Sequence, residues 1–545
     1  MPTLDFKGKQ FVYAHHLTVP FRQMNVEANK SLPRKGKKAD LDDNLIIHGD
    51  NLHALKALLP KYAGKVNCIY IDPPYNTGNE GWCYNDNVNA PLIKEWLKDS
   101  ANPVDKEDLE RHDKWLCMMW PRLQLLKELL AEDGAIFISI DDNEVHRLRG
   151  VMDEVFGQDA FVATIVWQKR YSRENRGGIG DAHEYVLVYA HDAGSFKDRR
   201  NLQTPTDEQM KVYSQPGKDG DTWRGIPMTA QGFRKNQMYP ITTATGVVHT
   251  PPKGRCWSMT EPEFEKLRAA GRIYFGKSGD AQPSVIRYAS EVPGFVPWTW
   301  WPSNEAGHTD SALKEIYEIM GRSEGFQTPK PSKLICRLLE IATKNDSLVL
   351  DSFAGSGTTA HAVLAMNRKD NGNRKFILVE CEDYADKTTA ERVRRVIKGV
   401  KSAKDENLKE GLGGSFTFCE LGDEINIENL LKGEKLPSYD DLARYAFYTA
   451  TGQALDKVKH GADFLIGETA NYRVHVIYQP DTHFLRSQES ALNMPLAERI
   501  SKSLEESKKT ALVFATHKFM GQKELSEMGI TYCQLPYAIH RVMGG

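Results

Sequence analysis

The residues best equipped for chemistry in this chain are Asp72-Pro73-Pro74-Tyr75. An exocyclic amine on a nucleobase is a poor nucleophile because its lone pair is delocalised into the ring. Asp72 and the Pro73 carbonyl could each accept one of its N–H bonds. Holding both hydrogens out of the ring plane pushes the nitrogen toward tetrahedral geometry and localises the pair. Tyr75 could stack on the base once it has left the duplex, since chemistry on a paired base requires extrusion. A strand-ending turn with Asp72 as its cap is the competing reading.

A second constellation lies at Leu350-Asp351-Ser352-Phe353-Ala354-Gly355-Ser356-Gly357-Thr358-Thr359. Gly-x-Gly between a strand and a helix lets backbone approach a ligand closely. A third glycine at dinucleotide spacing is missing, and no Gly-Lys-Ser/Thr follows. The turn therefore suits a nucleoside without a pyrophosphate. Glu380 ends the next strand about 23 residues after Gly357, where it can accept from both ribose hydroxyls. S-adenosylmethionine is such a ligand, with its methionine end over the glycine turn and its ammonium near Asp351. A plain strand-turn-helix with Glu380 as a cap remains open. A sulfonium methyl is already activated, so alignment is the protein's main task and no metal is required.

Both constellations need strand ends to hold them. The apolar run 66–71 reads as a buried strand stopped by an acid and two prolines. In an α/β sheet ligands sit at that end. A strand over 44–50 ends on Asp50, which either caps the following helix or reaches a ligand. Asn76 to Trp82 reads as a flexible loop able to close over a substrate. A helix is expected over 115–130, with strands at 135–140, 162–167, 183–190 and 375–379. The 168–178 loop is basic and glycine-rich. This alternation argues for a parallel-type sheet flanked by helices.

At 545 residues the length suggests about three or four domains. No apolar run approaches a bilayer span and no signal-peptide core opens the chain. The eight cysteines are scattered singly, so neither a disulfide framework nor a metal site is expected, and a reduced, cytoplasmic protein is the simplest account. With a net charge of −2, any DNA-binding potential must be local. The first forty residues are polar and read as a solvated tail, with Lys35-Gly36-Lys37-Lys38 as an alternative phosphate-touching arm. From 195 to 320 the rhythm breaks, and surface-type tryptophans (Trp223, Trp257, Trp298, Trp300, Trp301) sit among Arg224, Arg234 and Lys235. Aromatics interleaved with cations suit a nucleic-acid-reading insert; a structural insert with its own small core is the competitor.

Asp72-Pro73-Pro74-Tyr75 resembles the catalytic motif of amino-group DNA methyltransferases, and Phe353-Ala354-Gly355-Ser356-Gly357 their S-adenosylmethionine motif. The catalytic motif comes first, with a long insert between, which is the permuted β-class order. The resemblance implies a Rossmann-like methyltransferase sheet of α/β class with an inserted target-recognition domain. It implies Asp50 at the cofactor's adenine, Glu380 at the ribose, and Thr328, Lys330 and Pro331 closing over the methionine part. It also implies DNA contacts by Lys169, Arg170, Arg173, Arg176, Arg224, Arg234 and Lys235. Asp-Pro-Pro-Tyr is closer to N6-adenine than to most N4-cytosine enzymes. The stretches 76–78, 325–331 and 443–452 look like Mod subunits of Type III restriction–modification systems, which dimerise and pair with a Res helicase–nuclease. The expected layout is an arm at 1–43, a catalytic half at 44–194, the insert at 195–320, a cofactor half at 321–384, and a C-terminal oligomerisation or partner domain at 385–545. The rivals are an orphan DNA methyltransferase and a non-catalytic DNA-specificity subunit.

Overall fold

The computed structural model describes residues 3–78, 111–172, 178–217, 220–321, 326, 328–425, 436–505 and 507–535. Strands β1 (Arg22–Val26), β2 (Leu45–His48), β3 (Val66–Ile71), β4 (Leu130–Ile140), β5 (Phe161–Gln168), β6 (His183–Ala190), β7 (Trp300–Trp301), β8 (Leu348–Asp351), β9 (Lys375–Glu380) and β10 (Thr417–Glu424) form one sheet. Their order is β1-β10-β2-β9-β8-β3-β4-β6-β5-β7. From β10 through β4 neighbouring strands are parallel. Strand β6 runs antiparallel to both β4 and β5. The sheet is therefore mixed, which corrects the parallel-type expectation. Reversal places the first residues of β6 at the edge where the parallel strands end, with Tyr185 opposite Ile140.

Helices α1 (Asn51–Tyr62), α2 (Arg111–Leu129), α3 (Val145–Phe156), α4 (Ser332–Ala342), α5 (Thr358–Asp370), α6 (Glu391–Lys398) and α7 (Tyr439–Thr451) cover the sheet. Alternate residues of β3 serve different layers: Ile69 and Ile71 pack with α1, α2, α3 and α7, while Cys68 and Tyr70 pack with α4, α5 and α6. A strand buried on both faces must read as a near-continuous apolar run, and 66–71 does.

The first forty residues are not a solvated tail. Phe6, Val12, Val19 and Phe21 are buried in the main core, and β1 pairs antiparallel with β10 at the sheet edge. The tryptophan expectation fails at two positions. Trp257 is buried and donates its indole N–H to Tyr239 O at 2.7 Å; Trp301 is buried and donates to Trp298 O at 2.9 Å.

The chain divides into two compact units, Leu202–Pro297 and all the rest. The smaller lies inside the expected 195–320 insert, whose flanks at 195–201 and 298–320 belong to the larger unit. Its core is Met228, Tyr239, Ile241, Trp257 and Phe264. Gln203 and Phe295 exchange two backbone hydrogen bonds of 2.9 Å and close its base. The segment from 385 is no separate unit: it supplies β10, and α7 shares the main core with Val474, Val476 and Phe514 of a four-stranded C-terminal sheet. Among the described residues, no helix is long and apolar enough to cross a membrane.

Candidate active site

Four acids stand in a row because four parallel strands end side by side. Strands β2, β9, β8 and β3 are consecutive neighbours, and at their carboxyl ends lie Asp50, Glu380, Asp351 and Asp72. At a strand spacing of about 4.8 Å the row spans about 15 Å, enough for a nucleoside and an adjoining base. The structure thus brings both predicted constellations to one edge.

Asp72 is held by a lysine from far along the chain. Lys330 Nζ lies 2.8 and 2.7 Å from the two carboxylate oxygens. Burial pushes the Asp72 carboxyl up, Lys330 opposes it, and Glu184 adds to the rise. Burial works against the Lys330 ammonium in turn, but Asp72 and Glu184 outweigh it and raise its pKa. The ammonium also sits 4.9 Å from the Tyr75 ring centroid, a cation–π contact. Lys330 therefore engages the catalytic turn rather than standing apart from it, while its own carbonyl accepts from Thr358 Oγ1 at 3.2 Å. Pro331 is the N-cap of α4, and Thr328 is exposed.

Only one prolyl carbonyl of the turn is left for a base. Trp115 on α2 donates its indole N–H to Pro74 O at 2.7 Å, which corrects the expectation that neither carbonyl has a local partner. Pro73 is buried and Tyr75 half-buried. The Tyr75 hydroxyl donates to Glu184 Oε2 at 3.0 Å, and burial, Asp72 and Glu184 keep that phenol protonated. Asn76 is not part of an open loop. It is fully buried at φ 61°, and its side-chain amide donates to Arg111 O at 3.2 Å and to Glu144. The remainder of that expected loop, from Asn79, lies outside the described residues.

The cofactor half is built on backbone and neutral donors. Gly355 has φ 52° and Gly357 φ 78°, left-handed conformations that favour glycine. A Cβ on Gly357 would stand 3.0 Å from Thr389 O. Glu380 Oε2 accepts from Gly355 N–H at 2.7 Å and Oε1 from Glu382 N–H at 3.0 Å, so the acid shapes the glycine turn. Burial raises its pKa. Asp351 accepts from Phe353 N–H at 3.0 Å and from the Thr359 hydroxyl. Burial pushes its carboxyl up to about 7 against those bonds. Asp50 caps α1 through His53 N–H at 3.1 Å, and its other oxygen lies 3.6 Å from Arg122.

Several contributing residues escaped sequence reading. Glu184 faces the catalytic turn only because β6 is reversed. Arg392 on α6 is buried under the glycine turn, donating to Ser356 at 2.9 Å, Thr358 at 2.8 Å and Glu315 at 2.7 Å. Despite its burial, Glu315 is held down at about 2 by His361 and Arg392. No motif flags that set; a charged Arg-Arg pair on an amphipathic helix is the only trace.

The expected DNA contacts divide. Lys169 is largely buried and pairs with Asp181 at 2.8 Å and Glu184 at 3.4 Å, so here it belongs to the catalytic cluster. Arg170 is exposed; Arg173 and Arg176 lie outside the described residues. In the smaller unit Arg224 stacks 5.0 Å from the Tyr213 ring, and Arg234 and Lys235 are exposed beside exposed Phe233.

A DNA methylase family model matches residues 66–391, more than half of the chain. The StyLTI Mod subunit of a Type III restriction-modification enzyme from Salmonella typhimurium is 36% identical over 469 residues, covering 83% of this chain and 67% of that one. The EcoPI Mod subunit of Escherichia phage P1 is 34% identical, covering 71% and 67%. The Type II methyltransferase M.KpnI of Klebsiella pneumoniae is 31% identical, covering 67% and 87%. The chain thus spans about two thirds of the two Mod subunits. Among solved structures, a DNA modification methylase of Thermus thermophilus, TTHA0409, is 14% identical with a TM-score of 0.30, covering 69% and 99%, and nothing below rests on it. The family match, together with the Mod relatives, assigns this chain to the DNA methylase family as a Mod-like member.

Proposed function

We propose that this chain is a site-specific DNA adenine-N6 methyltransferase, using S-adenosylmethionine and acting as the modification and specificity subunit of a Type III restriction–modification system. The carrying observation is the adjacency of β3 and β8, which sets Asp72 and Tyr75 beside the glycine turn. Asp-Pro-Pro-Tyr favours adenine over cytosine.

The residues of the second constellation fit the cofactor. Among the described residues, Asp351 is a buried carboxylate bound only by neutral donors, which suits an ammonium ligand. Glu380 keeps acceptor capacity beside the turn, as ribose hydroxyls require. Gly355 and Gly357 leave a side-chain-free backbone for the methionine end. Bound there, the cofactor supplies a methyl group already activated on sulfur. The chain's own work is to hold the base. Asp72 and Pro73 O accept the two amine hydrogens, and Tyr75 stacks on the extruded ring. Trp115 fixes the turn through Pro74, so that Pro73 O keeps its direction.

The smaller unit, with Arg224, Arg234 and Lys235, is the proposed target-recognition domain, together with Arg170 of the larger unit. A homodimer, and docking of a Res helicase–nuclease on the C-terminal sheet, complete the reading, as the Mod relatives suggest. Nucleoside mass spectrometry on DNA incubated with protein and S-adenosylmethionine tests it, with Asp72→Ala alongside. N6-methyladenine from wild type alone supports the proposal. N4-methylcytosine overturns the base assignment, and no methylated base on DNA of diverse sequence overturns autonomous activity.

A further inference from the structure

An ammonium group lies across both oxygens of the carboxylate that an amino group is to use. Lys330 Nζ is within 2.8 Å of each Asp72 oxygen. A second acid lies behind it: Glu184 Oε2 is 3.7 Å from the same nitrogen. A shift of about 1 Å would turn that separation into a full charge-assisted hydrogen bond. The same Oε2 already accepts from the Tyr75 hydroxyl at 3.0 Å. The other oxygen of Glu184 lies 3.4 Å from Lys169, which is anchored at 2.8 Å on Asp181 near the rim.

Four of these side chains lie largely out of water, with fractional exposures of 23% for Asp72, 11% for Lys330, 13% for Glu184 and 12% for Lys169. Two carboxylates and two ammonium groups balance. Moving Lys330 from one acid to the other leaves no buried charge without a partner, provided that an amine arrives at Asp72. Removing Glu184 would leave Lys330 with Asp72 as its only nearby acid among the described residues.

We propose that Glu184 is a positioning residue for methyl transfer: it fixes the Tyr75 hydroxyl and receives the Lys330 ammonium when the substrate amino group takes its place on Asp72. This rests on the methyltransferase reading above. Glu184 touches neither the reacting nitrogen nor the methyl group; it acts through Tyr75 and Lys330. The groups facing Asp72 are Lys330 from the stretch before α4, Glu184 from β6, Tyr75 of its own turn, Tyr70 of β3 and Asp351 of β8. Loss of the Glu184 charge therefore tightens Lys330 on Asp72 and makes Asp72 more acidic.

The test uses the full chain, tritiated S-adenosylmethionine and unmethylated genomic DNA, with the rate followed against pH. Glu184→Gln should lower kcat by up to about 10²-fold, the scale of a misplaced reacting group, leave cofactor affinity unchanged, and move the acid limb to lower pH. Glu184→Asp keeps the charge, so its acid limb should stay with wild type while its rate falls part of the way. Wild-type rate and profile in E184Q overturn the proposal, and so does an equal loss in both variants with no movement of the limb. If E184Q does not fold, E184D decides alone: slower transfer with the wild-type limb supports the role, and a wild-type rate overturns it. No transfer by wild type itself sinks the methyltransferase reading, and this inference with it.

Discussion

Two buried aspartates end neighbouring strands, and they are held in opposite ways. Asp72 is bound on both oxygens by a lysine, whereas Asp351 is bound by a hydroxyl and a backbone N–H. A cationic partner keeps a buried acid ionised but can be exchanged for another hydrogen-bond donor. Neutral donors set direction and leave the acid hungry for a positive charge, which is why Asp351 sits at about 7. One arrangement suits a group that must let a substrate in; the other suits a resident cation.

The sharpest way to break this contrast is to delete each acid. Asp72→Ala should cut methyl transfer by about 10²-fold or more, as when a positioned hydrogen-bonding group is lost, while equilibrium dialysis shows cofactor affinity retained. Asp351→Ala should do the reverse, weakening the cofactor first. Were both variants to lose cofactor binding alike, the division of labour between the two strands would be wrong.

Stability against pH separates them next. The Asp351 carboxyl titrates at about 7 in the fold and at about 4 in an unfolded chain. The native state therefore binds the proton more tightly. Its contribution to stability is full below about pH 4 and is lost as pH rises to about 7, by at most ~4 kcal/mol. Melting curves of the ligand-free protein should show that fall between pH 4 and 7, and Asp351→Asn should flatten it. Added S-adenosylmethionine should restore stability at pH 7 and above.

Lys330→Met is a finer probe. Without its counter-charge Asp72 should titrate higher by about a unit or more, so the acid limb of the rate profile moves to higher pH, opposite in direction to Glu184→Gln. Trp115→Phe should act least. It removes the bond to Pro74 O at a cost of about 1 kcal/mol, readable as a small drop in melting temperature with a few-fold slower rate.

Much of the site could be read directly, because its motifs are local. Asp72, Asp351 and Glu380 each end an apolar run, and the glycines between Asp351 and α5 announce their own turn. What could not be read depends on which strands become neighbours and in which direction. His183–Ala190 looks the same as a sequence whether it runs up or down, yet only the downward course brings Glu184 to Tyr75. The Pro74 carbonyl looked available because its partner, Trp115, is 41 residues away. Trp257 looked like a surface reader because its short neighbours carry charge, although it fills the small core beside Phe264. The first forty residues looked solvated because their few apolar side chains, Phe6, Val12, Val19 and Phe21, are spread too thinly to show a period.

The paired bonds between Gln203 and Phe295 also bear on how such a chain could change its target. Strand partners that exchange both bonds hold their α-carbons about 5.5 Å apart, a gap that a two- or three-residue linker spans. Everything between them can be exchanged as a cassette without pulling on β6 or β7. Under the proposed reading, a single recombination event inside one gene could redirect the enzyme to a new DNA word while its chemistry passes on unaltered.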